Sequence, residues 1–156
     1  VYNGFELCEA TPLAPGKEEY LDSEKFQLKA WDYERPGNII AEITRLNHIR
    51  RDNPALHNHL GVTFQNAFHD DVLFYSKSTA DRSNVILAAV SMNPREAVSC
   101  SYELPLWEFG LPDDGALEVE DLMRGHRFTL RGKTQTLRLD PADLPFVLWR
   151  VRAAGA

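Results

Sequence analysis

The sequence predicts an α+β chain, mainly an antiparallel β-sandwich that follows a short strand, a long loop and one helix. From about residue 60 to residue 151, short apolar or alternating segments recur, separated by glycine, proline or paired acidic residues. Strands at this spacing, with turn chemistry between them, are typical of a sandwich. Ahead of them, one segment repeats isoleucine and leucine at three- and four-residue steps, which indicates a helix. We therefore expect two parts, residues 1–59 and residues 60–156.

The first part opens on an apolar segment, residues 1–8, which we expect to be a strand interrupted at Gly4. The chain has no initiator methionine, and a strand that starts unpaired leaves backbone donors and acceptors unsatisfied. We therefore expect the chain to be part of a longer protein. The connection that follows, through Pro12 and Gly16 to Phe26, has no helical or strand period, and loops of that length are usually functional or poorly ordered.

The helix is expected to begin after the Pro36-Gly37 break, with Asn38 as its N-cap, and to end at Asn53, which precedes a proline. Its apolar residues form one stripe: Ile39, Ile40, Ile43, Leu46 and Ile49. A stripe of that size needs a partner surface. In an isolated chain it must pack on the sandwich, self-associate or remain poorly ordered.

The sequence predicts eight strands in the second part. They are expected at residues 62–64, 72–75, 84–91, 98–104, 117–119, 128–130, 137–139 and 146–151. Residues 72–75 and 84–91 are continuously apolar, so we expect both to be buried on two faces. Residues 98–104 alternate apolar and polar, which is typical of a strand with one face toward a core.

The charge and composition of the chain argue against nucleic-acid-binding and membrane proteins. The 156 residues carry a net charge of −6, so we predict neither a nucleic-acid partner nor an anionic membrane surface. No run approaches the ~20 apolar residues of a membrane helix and no signal-peptide pattern opens the chain, so a cytoplasmic location is expected. Cys8 and Cys100 lie in apolar contexts. We expect two buried thiols, although one disulfide remains open.

Several segments resemble the α-amylase superfamily, in the branch of maltose-1-phosphate maltosyltransferases. Residues 2–9 are similar to the eighth barrel strand of that branch, and residues 15–26 to the loop that follows it. Residues 36–39, 46–47 and 49–56 are similar to its eighth barrel helix. The resemblance continues into the sandwich that follows the (β/α)8 barrel in this superfamily. It implies that residues 1–59 are a barrel remnant and that residues 60–156 are the C-terminal domain.

The resemblance implies transfer of a maltosyl unit from α-maltose 1-phosphate to an α-1,4-glucan, with release of phosphate. It implies a retaining mechanism, in which a nucleophile and an acid/base carboxylate stand about 5 Å apart. Those carboxylates come from earlier barrel strands, so no catalytic residue is predicted here and the chain alone is expected to be inactive. Two alternatives stay open: a piece of another α-amylase-type hydrolase or transglycosidase, or a non-catalytic carbohydrate-binding or interface module.

For substrate contact, the resemblance implies Lys25 and Phe26 at the second glucose of the donor, with Glu24 beside them. The alternative is a solvated charged loop. No cofactor and no metal are predicted. The partners implied are α-glucan, maltose 1-phosphate and the rest of the barrel.

Other candidates have simpler interpretations. Glu18-Glu19 and Asp70-Asp71 are paired acids, and the second pair lies where a turn is expected. His57-Asn58-His59 lacks a third metal ligand at suitable spacing. Among the tryptophans, Trp149 is expected in the core, whereas Trp31 and Trp107 lie in loops where either could stack on glucan.

Overall fold

The protein is described by a computed structural model that covers residues 4–21 and 28–155. Two compact units are distinguished, Val1–His48 and Ile49–Ala156. The division falls inside the helix, so the last turn of the helix belongs to the same unit as the sandwich. The boundary at residue 59 that the sequence suggests stays a prediction.

The strand expected over residues 1–8 is wrong for the part that the structure describes. Phe5–Leu7 form a short 3-10 helix instead. Gly4 (φ 91°) and Cys8 (φ 53°) flank it in the left-handed region, which an extended strand does not contain. Cys8 is also exposed, against the expectation of a buried thiol, whereas Cys100 is buried and both thiols are free.

The long connection has more order than its sequence indicates. The backbone N–H of Leu13 donates to the carbonyl of Glu19 (2.7 Å), and that of Leu21 donates to the carbonyl of Thr11 (2.8 Å). Pro12 and Tyr20 form an isolated antiparallel bridge between them. Residues 11–21 therefore fold back as a small hairpin without a regular strand.

Helix α1 spans Ile40–Asp52, and its predicted cap is confirmed. The side-chain oxygen of Asn38 accepts a hydrogen bond from the backbone N–H of Ile40 (3.1 Å), which satisfies one of the free donors at a helix start. The predicted end of α1 before Pro54 is confirmed, and Pro54–Leu56 then form a second 3-10 helix.

All eight predicted strands are present in the described part of the chain. Their bounds are β1 Val62–Phe64, β2 Val72–Ser78, β3 Val85–Ser91, β4 Val98–Glu103, β5 Ala116–Asp121, β6 Arg127–Arg131, β7 Thr134–Leu139 and β8 Phe146–Ala153. One sheet has the order β1-β2-β3-β8-β5-β6 and the other pairs β4 with β7. Every pairing is antiparallel.

The core of the second unit lies between these two sheets, which makes it sandwich-like. Phe74 on β2 and Tyr102 on β4 meet edge to face with ring centroids 5.1 Å apart, and Trp149 on β8 packs on Tyr102 at 6.2 Å. The alternation predicted for residues 98–104 is confirmed, since Val98, Cys100, Tyr102 and Leu104 are all buried.

Burial on both faces is confirmed for β3, in which the first five residues are all buried. It is wrong for β2, because Leu73 is 41% exposed while Val72 and Phe74 are buried. The apolar run in β2 therefore has one face on the core and one face outward, and only β3 lies centrally enough to be covered twice.

The last turn of α1 packs on the outer face of the large sheet. Ile49 is buried together with Ala55, and these residues cluster with Ile86 on β3 and with Leu122. This is one of the three outcomes expected for the apolar stripe. The other stripe residues, Ile39, Ile40, Ile43 and Leu46, are half-buried. Self-association stays a prediction.

No helix within the described ranges, 4–21 and 28–155, is long and apolar enough to cross a membrane.

Candidate functional site

The three residues predicted to contact sugar, Glu24, Lys25 and Phe26, lie outside the described residues. Leu21 and Leu28, the described residues that come directly before and after positions 22–27, line a cleft of about 450 Å³. We call it the Trp31 cleft. Its polar and aromatic lining is Glu9, Thr11, Lys29, Trp31, Asp32 and Arg35, and the buried Leu7 contributes an apolar wall.

The indole of Trp31 is held against the backbone of Gly4. A Cβ on Gly4 would lie 2.7 Å from Cη2 and 2.8 Å from Cζ3 of Trp31, closer than carbon atoms approach each other. Gly4 also has φ 91°, where glycine pays no steric penalty. Glycine is therefore required at this position both by the backbone and by the indole.

Lys29 connects two sides of the cleft. Its ammonium nitrogen lies 5.3 Å from the ring centroid of Trp31, within the range of a cation–π contact. The same nitrogen donates a hydrogen bond to the backbone carbonyl of Leu21 at 3.3 Å. One cation thus orients both the aromatic wall and the end of the small hairpin.

Glu9 and Arg35 form an ion pair in the cleft, with Oε2 and Nη1 3.1 Å apart. The pKa of Glu9 is lowered, first by the Thr11 hydroxyl that donates to it and further by the Arg35 guanidinium. The carboxylate therefore stays ionised at neutral pH. This favours accepting hydrogen bonds from a ligand and disfavours acting as a proton donor.

The sequence did not single out Glu9, Arg35 or Asp32. Glu9 ends the segment that resembles a barrel strand, and Arg35 follows 26 positions later, so no local spacing relates them. The sequence signals for this site are the length of the loop, which favours a functional role, and Trp31, which suits stacking on a sugar ring.

Neither pair of adjacent acids forms a reactive site: Asp70-Asp71 lies in a turn and Glu18-Glu19 is exposed. Asp71 precedes β2 in a turn, where its carbonyl accepts from the backbone N–H of Met92 (2.7 Å) and its carboxylate accepts from Asn93 (3.3 Å). Glu18 and Glu19 are exposed, and the Glu19 carbonyl closes the small hairpin. The turn interpretation of residues 70–71 is confirmed.

No cluster of three or more metal-ligating side chains occurs among the described residues. His57 is on the surface, where Nε2 lies 3.0 Å from the carbonyl oxygen of Arg51. This contact ties the chain after α1 back to the end of the helix, so His57 has a local structural role.

The three tryptophans have different surroundings. Trp149 is in the core as predicted, 7% exposed, and its indole N–H donates to the buried carboxylate of Asp121 at 3.3 Å. Trp107 is 69% exposed on the third 3-10 helix, Leu106–Phe109. Trp31 lines the cleft described above.

A larger groove, of about 600 Å³, runs over the outer face of the sheet at β5, β6 and β8. Its charged side chains are paired with each other: Arg152 with Glu118 and Arg150 with Glu120, both at 2.5 Å. The pKa of Glu120 is lowered by Arg150, its closest partner. Because each carboxylate already has an arginine, this groove is a cross-strand ion-pair ladder rather than a reactive centre.

Comparison with known proteins identifies the family. The family described as "GLGE, C-terminal" matches residues 64–151, which cover the strands from β2 to most of β8. The chain belongs to this family. The matched residues lie within the second unit, in which the two sheets enclose the core.

Curated relatives match over the whole chain. The α-1,4-glucan:maltose-1-phosphate maltosyltransferase of Pseudomonas aeruginosa is 59% identical over 156 residues, which is all of this chain and 23% of that protein. The protein of the same name from Cereibacter sphaeroides is 52% identical over 99% of this chain, and α-1,4-glucan:maltose-1-phosphate maltosyltransferase 2 of Streptomyces coelicolor is 38% identical over 100% of it. The chain therefore spans about a quarter of the length of these relatives.

A solved structure is also similar: a GH27 β-L-arabinopyranosidase from Geobacillus stearothermophilus, with a TM-score of 0.45 and 16% identity. The match covers 65% of this chain and 22% of that one.

Proposed function

We propose that this chain is the C-terminal part of an enzyme that transfers a maltosyl unit from α-maltose 1-phosphate to an α-1,4-glucan and releases phosphate. The observation that supports it is the 59% identity with the Pseudomonas aeruginosa maltosyltransferase over all 156 residues. Seven further relatives of the same activity match between 62% and 100% of the chain.

In this proposal, residues 1–59 are the last part of a (β/α)8 barrel and residues 60–156 are the domain after it. The barrel supplies the two carboxylates of a retaining mechanism, the nucleophile and the acid/base. The nucleophile forms a covalent glycosyl intermediate, and the glycosyl group then passes to the acceptor with help from the acid/base. Barrel active sites are assembled from loops after several strands, so this chain alone has no transferase or hydrolase activity. Its location is cytoplasmic in the same proposal.

The contribution of this chain to the reaction is substrate contact. Lys25 and Phe26 touch the second glucose of the donor, and Glu24 lies beside them. A lysine provides charged hydrogen bonds to hydroxyls, and an aromatic ring packs on the apolar face of a sugar. Binding the non-reacting glucose helps to orient the reacting one, which is how remote contacts raise a rate.

A chimera tests the proposal. This chain replaces the matching quarter of the Pseudomonas aeruginosa maltosyltransferase, and phosphate release from α-maltose 1-phosphate is measured with and without maltohexaose. We expect glucan-dependent release within about tenfold of the parent enzyme, because 59% of the replaced residues are identical. The 156-residue chain by itself is the control and releases no phosphate.

Different results separate the alternatives. A chimera that melts cooperatively like the parent but releases no phosphate contradicts the proposal. Hydrolysis of starch without any need for maltose 1-phosphate points to another α-amylase-type enzyme. The non-catalytic module is favoured by one observation, the exposure of Trp107, and predicts that the chain alone is retained by an amylose column and that Trp107→Ala abolishes the retention.

A further inference from the structure

We propose that the Trp31 cleft is a subsite for one neutral glucosyl unit of an α-glucan. This inference rests on the proposed function for the identity of the sugar, and on the cleft itself for the class of ligand. The three residues that the resemblance implies at the donor sugar, Glu24, Lys25 and Phe26, take no part in it, whereas Trp31 is one of the two loop tryptophans expected as glucan-stacking candidates. The cleft is lined by Leu7 and by the polar and aromatic side chains of Glu9, Thr11, Lys29, Trp31, Asp32 and Arg35.

The lining matches the two kinds of surface on a sugar ring. A pyranose has apolar faces of C–H groups and a rim of hydroxyls that both donate and accept. Trp31 and Leu7 offer apolar contact, while Lys29 and Arg35 donate and Glu9 accepts. A cleft of about 450 Å³ lies within the range of small-molecule sites.

The charge balance selects a neutral ligand. Lys29 and Arg35 carry two positive charges, and Glu9 and Asp32 carry two negative ones, so the cleft is neutral as a whole. A phosphate group would face the ionised carboxylate of Glu9, whose pKa is lowered by Thr11 and Arg35. Uncharged hydroxyls meet no such repulsion, so a glucan is favoured over maltose 1-phosphate or free phosphate.

The cleft is organised before any ligand arrives. The indole of Trp31 is seated against Gly4, and Lys29 is held by both the ring and the Leu21 carbonyl. The carboxylate of Glu9 is held by Arg35 at 3.1 Å. Side chains that are already ordered lose little conformational entropy when a ligand binds, which suits a weak sugar contact.

The experiment titrates the 156-residue chain with maltotetraose and follows saturation-transfer NMR of the sugar. We expect binding with a dissociation constant of about 1 mM. Trp31→Leu weakens it by about tenfold or more, because the indole provides the apolar wall. Lys29→Met, which keeps the length of the side chain and removes its charge, weakens it by about threefold to tenfold.

Phe68→Leu is the matched control, because it removes an exposed aromatic ring from the other unit and leaves the affinity within about twofold. An ¹⁵N–¹H spectrum checks that each variant folds. If Trp31→Leu disturbs the fold, Lys29→Met still tests the proposal. Inorganic phosphate is added as a competitor and displaces no sugar.

Three results would overturn the inference: no binding by the unsubstituted chain, unchanged binding in Lys29→Met and Trp31→Leu, or displacement of the sugar by phosphate. The chimera assay keeps this failure apart from failure of the proposed function. A chimera that transfers maltosyl units while the chain ignores maltotetraose refutes the subsite alone. If the 156-residue chain binds maltotetraose but the folded chimera is inactive, the transferase proposal alone is refuted.

Discussion

The side-chain amide of Asn84 donates a hydrogen bond to the amide oxygen of Asn53 at 3.1 Å, and both residues are buried. Asn53 in turn donates to the carbonyl of Ile49 in the last turn of α1 (2.8 Å). The oxygen of Asn84 accepts from the backbone N–H of Ala55 (3.0 Å). The side chain of Asn53 thus satisfies a free carbonyl at the end of α1, and its bond to Asn84 joins this end of the helix to the start of β3.

Asn84→Ala is expected to lower the free energy of unfolding by about 2–3 kcal/mol, because it leaves the Asn53 oxygen and the Ala55 N–H buried without a partner. Urea unfolding of the whole chain measures the change. Asn66→Ala is the control, since Asn66 is an exposed amide bonded to Glu103, and it should cost about 0.5 kcal/mol or less. Equal losses in the two variants would contradict the role given to the buried pair.

Tyr102→Phe is expected to raise the free energy of unfolding by about 1–2 kcal/mol. Tyr102 is fully buried, and its hydroxyl has no hydrogen-bond partner among the described residues. Burial raises the pKa of the phenol, so the group stays protonated and keeps its unsatisfied donor. Thermal and urea unfolding check the gain.

Tyr102→Ala separates the ring from the hydroxyl. It removes the packing on Phe74 and Trp149 and should cost about 3–5 kcal/mol. A loss of stability in Tyr102→Phe would show that the hydroxyl contributes to the core.

Gly61→Ala is expected to destabilise more than Gly125→Ala by about 1–3 kcal/mol. The two glycines have nearly the same φ, 73° and 74°, so alanine meets the same backbone strain at both. A Cβ at Gly61 would lie 2.2 Å from the carbonyl oxygen of Ser78, whereas at Gly125 no atom lies within 4 Å. Equal unfolding free energies of the two variants would show that β1 and β2 shift apart at no cost.

Asp81→Asn is expected to reduce the dependence of stability on acid pH. The pKa of Asp81 is lowered from 3.8 to about 2 by the Thr79 hydroxyl and then by the N–H and hydroxyl of Ser83. A carboxyl whose pKa is lower in the folded state stabilises above its unfolded pKa, and this contribution is lost as pH falls from 3.8 through 2. The stability difference between the wild type and the variant should therefore shrink over that range, as measured by urea unfolding at each pH. A difference that stays constant would contradict it.

Elements that depend on near neighbours in sequence were predictable. The stripe from Ile39 to Ile49, the cap at Asn38 and the stop at Pro54 describe α1 to within a residue or two. Each strand shows an apolar run or alternation between turn residues, so all eight appear where expected. The exception is Phe5–Leu7, where local apolar character indicates a strand, but left-handed residues at both ends allow only a short turn.

The candidate site was predictable only as a location. The length of the loop favoured a functional segment, and the resemblance to the maltosyltransferase branch implied sugar contact there. Glu9 and Arg35 had no signal, because their ion pair joins positions 26 residues apart. Asn53 and Asn84 are 31 residues apart and had none either, since a polar side chain is normally predicted at the surface.

The amino-acid sequence by itself determined where α1 and the eight strands lie, the acidic net charge, and, through its resemblance to other sequences, the family. Tertiary structure decided the rest: that β3 pairs with β8 rather than with β4, that β4 and β7 form a separate sheet, and that two asparagines lie buried. It also decided that Trp31 rests on Gly4. The physical reason is the range of the interactions. Periodicity and caps act over a few residues, whereas strand order and the pairing of buried polar groups depend on which distant segments meet.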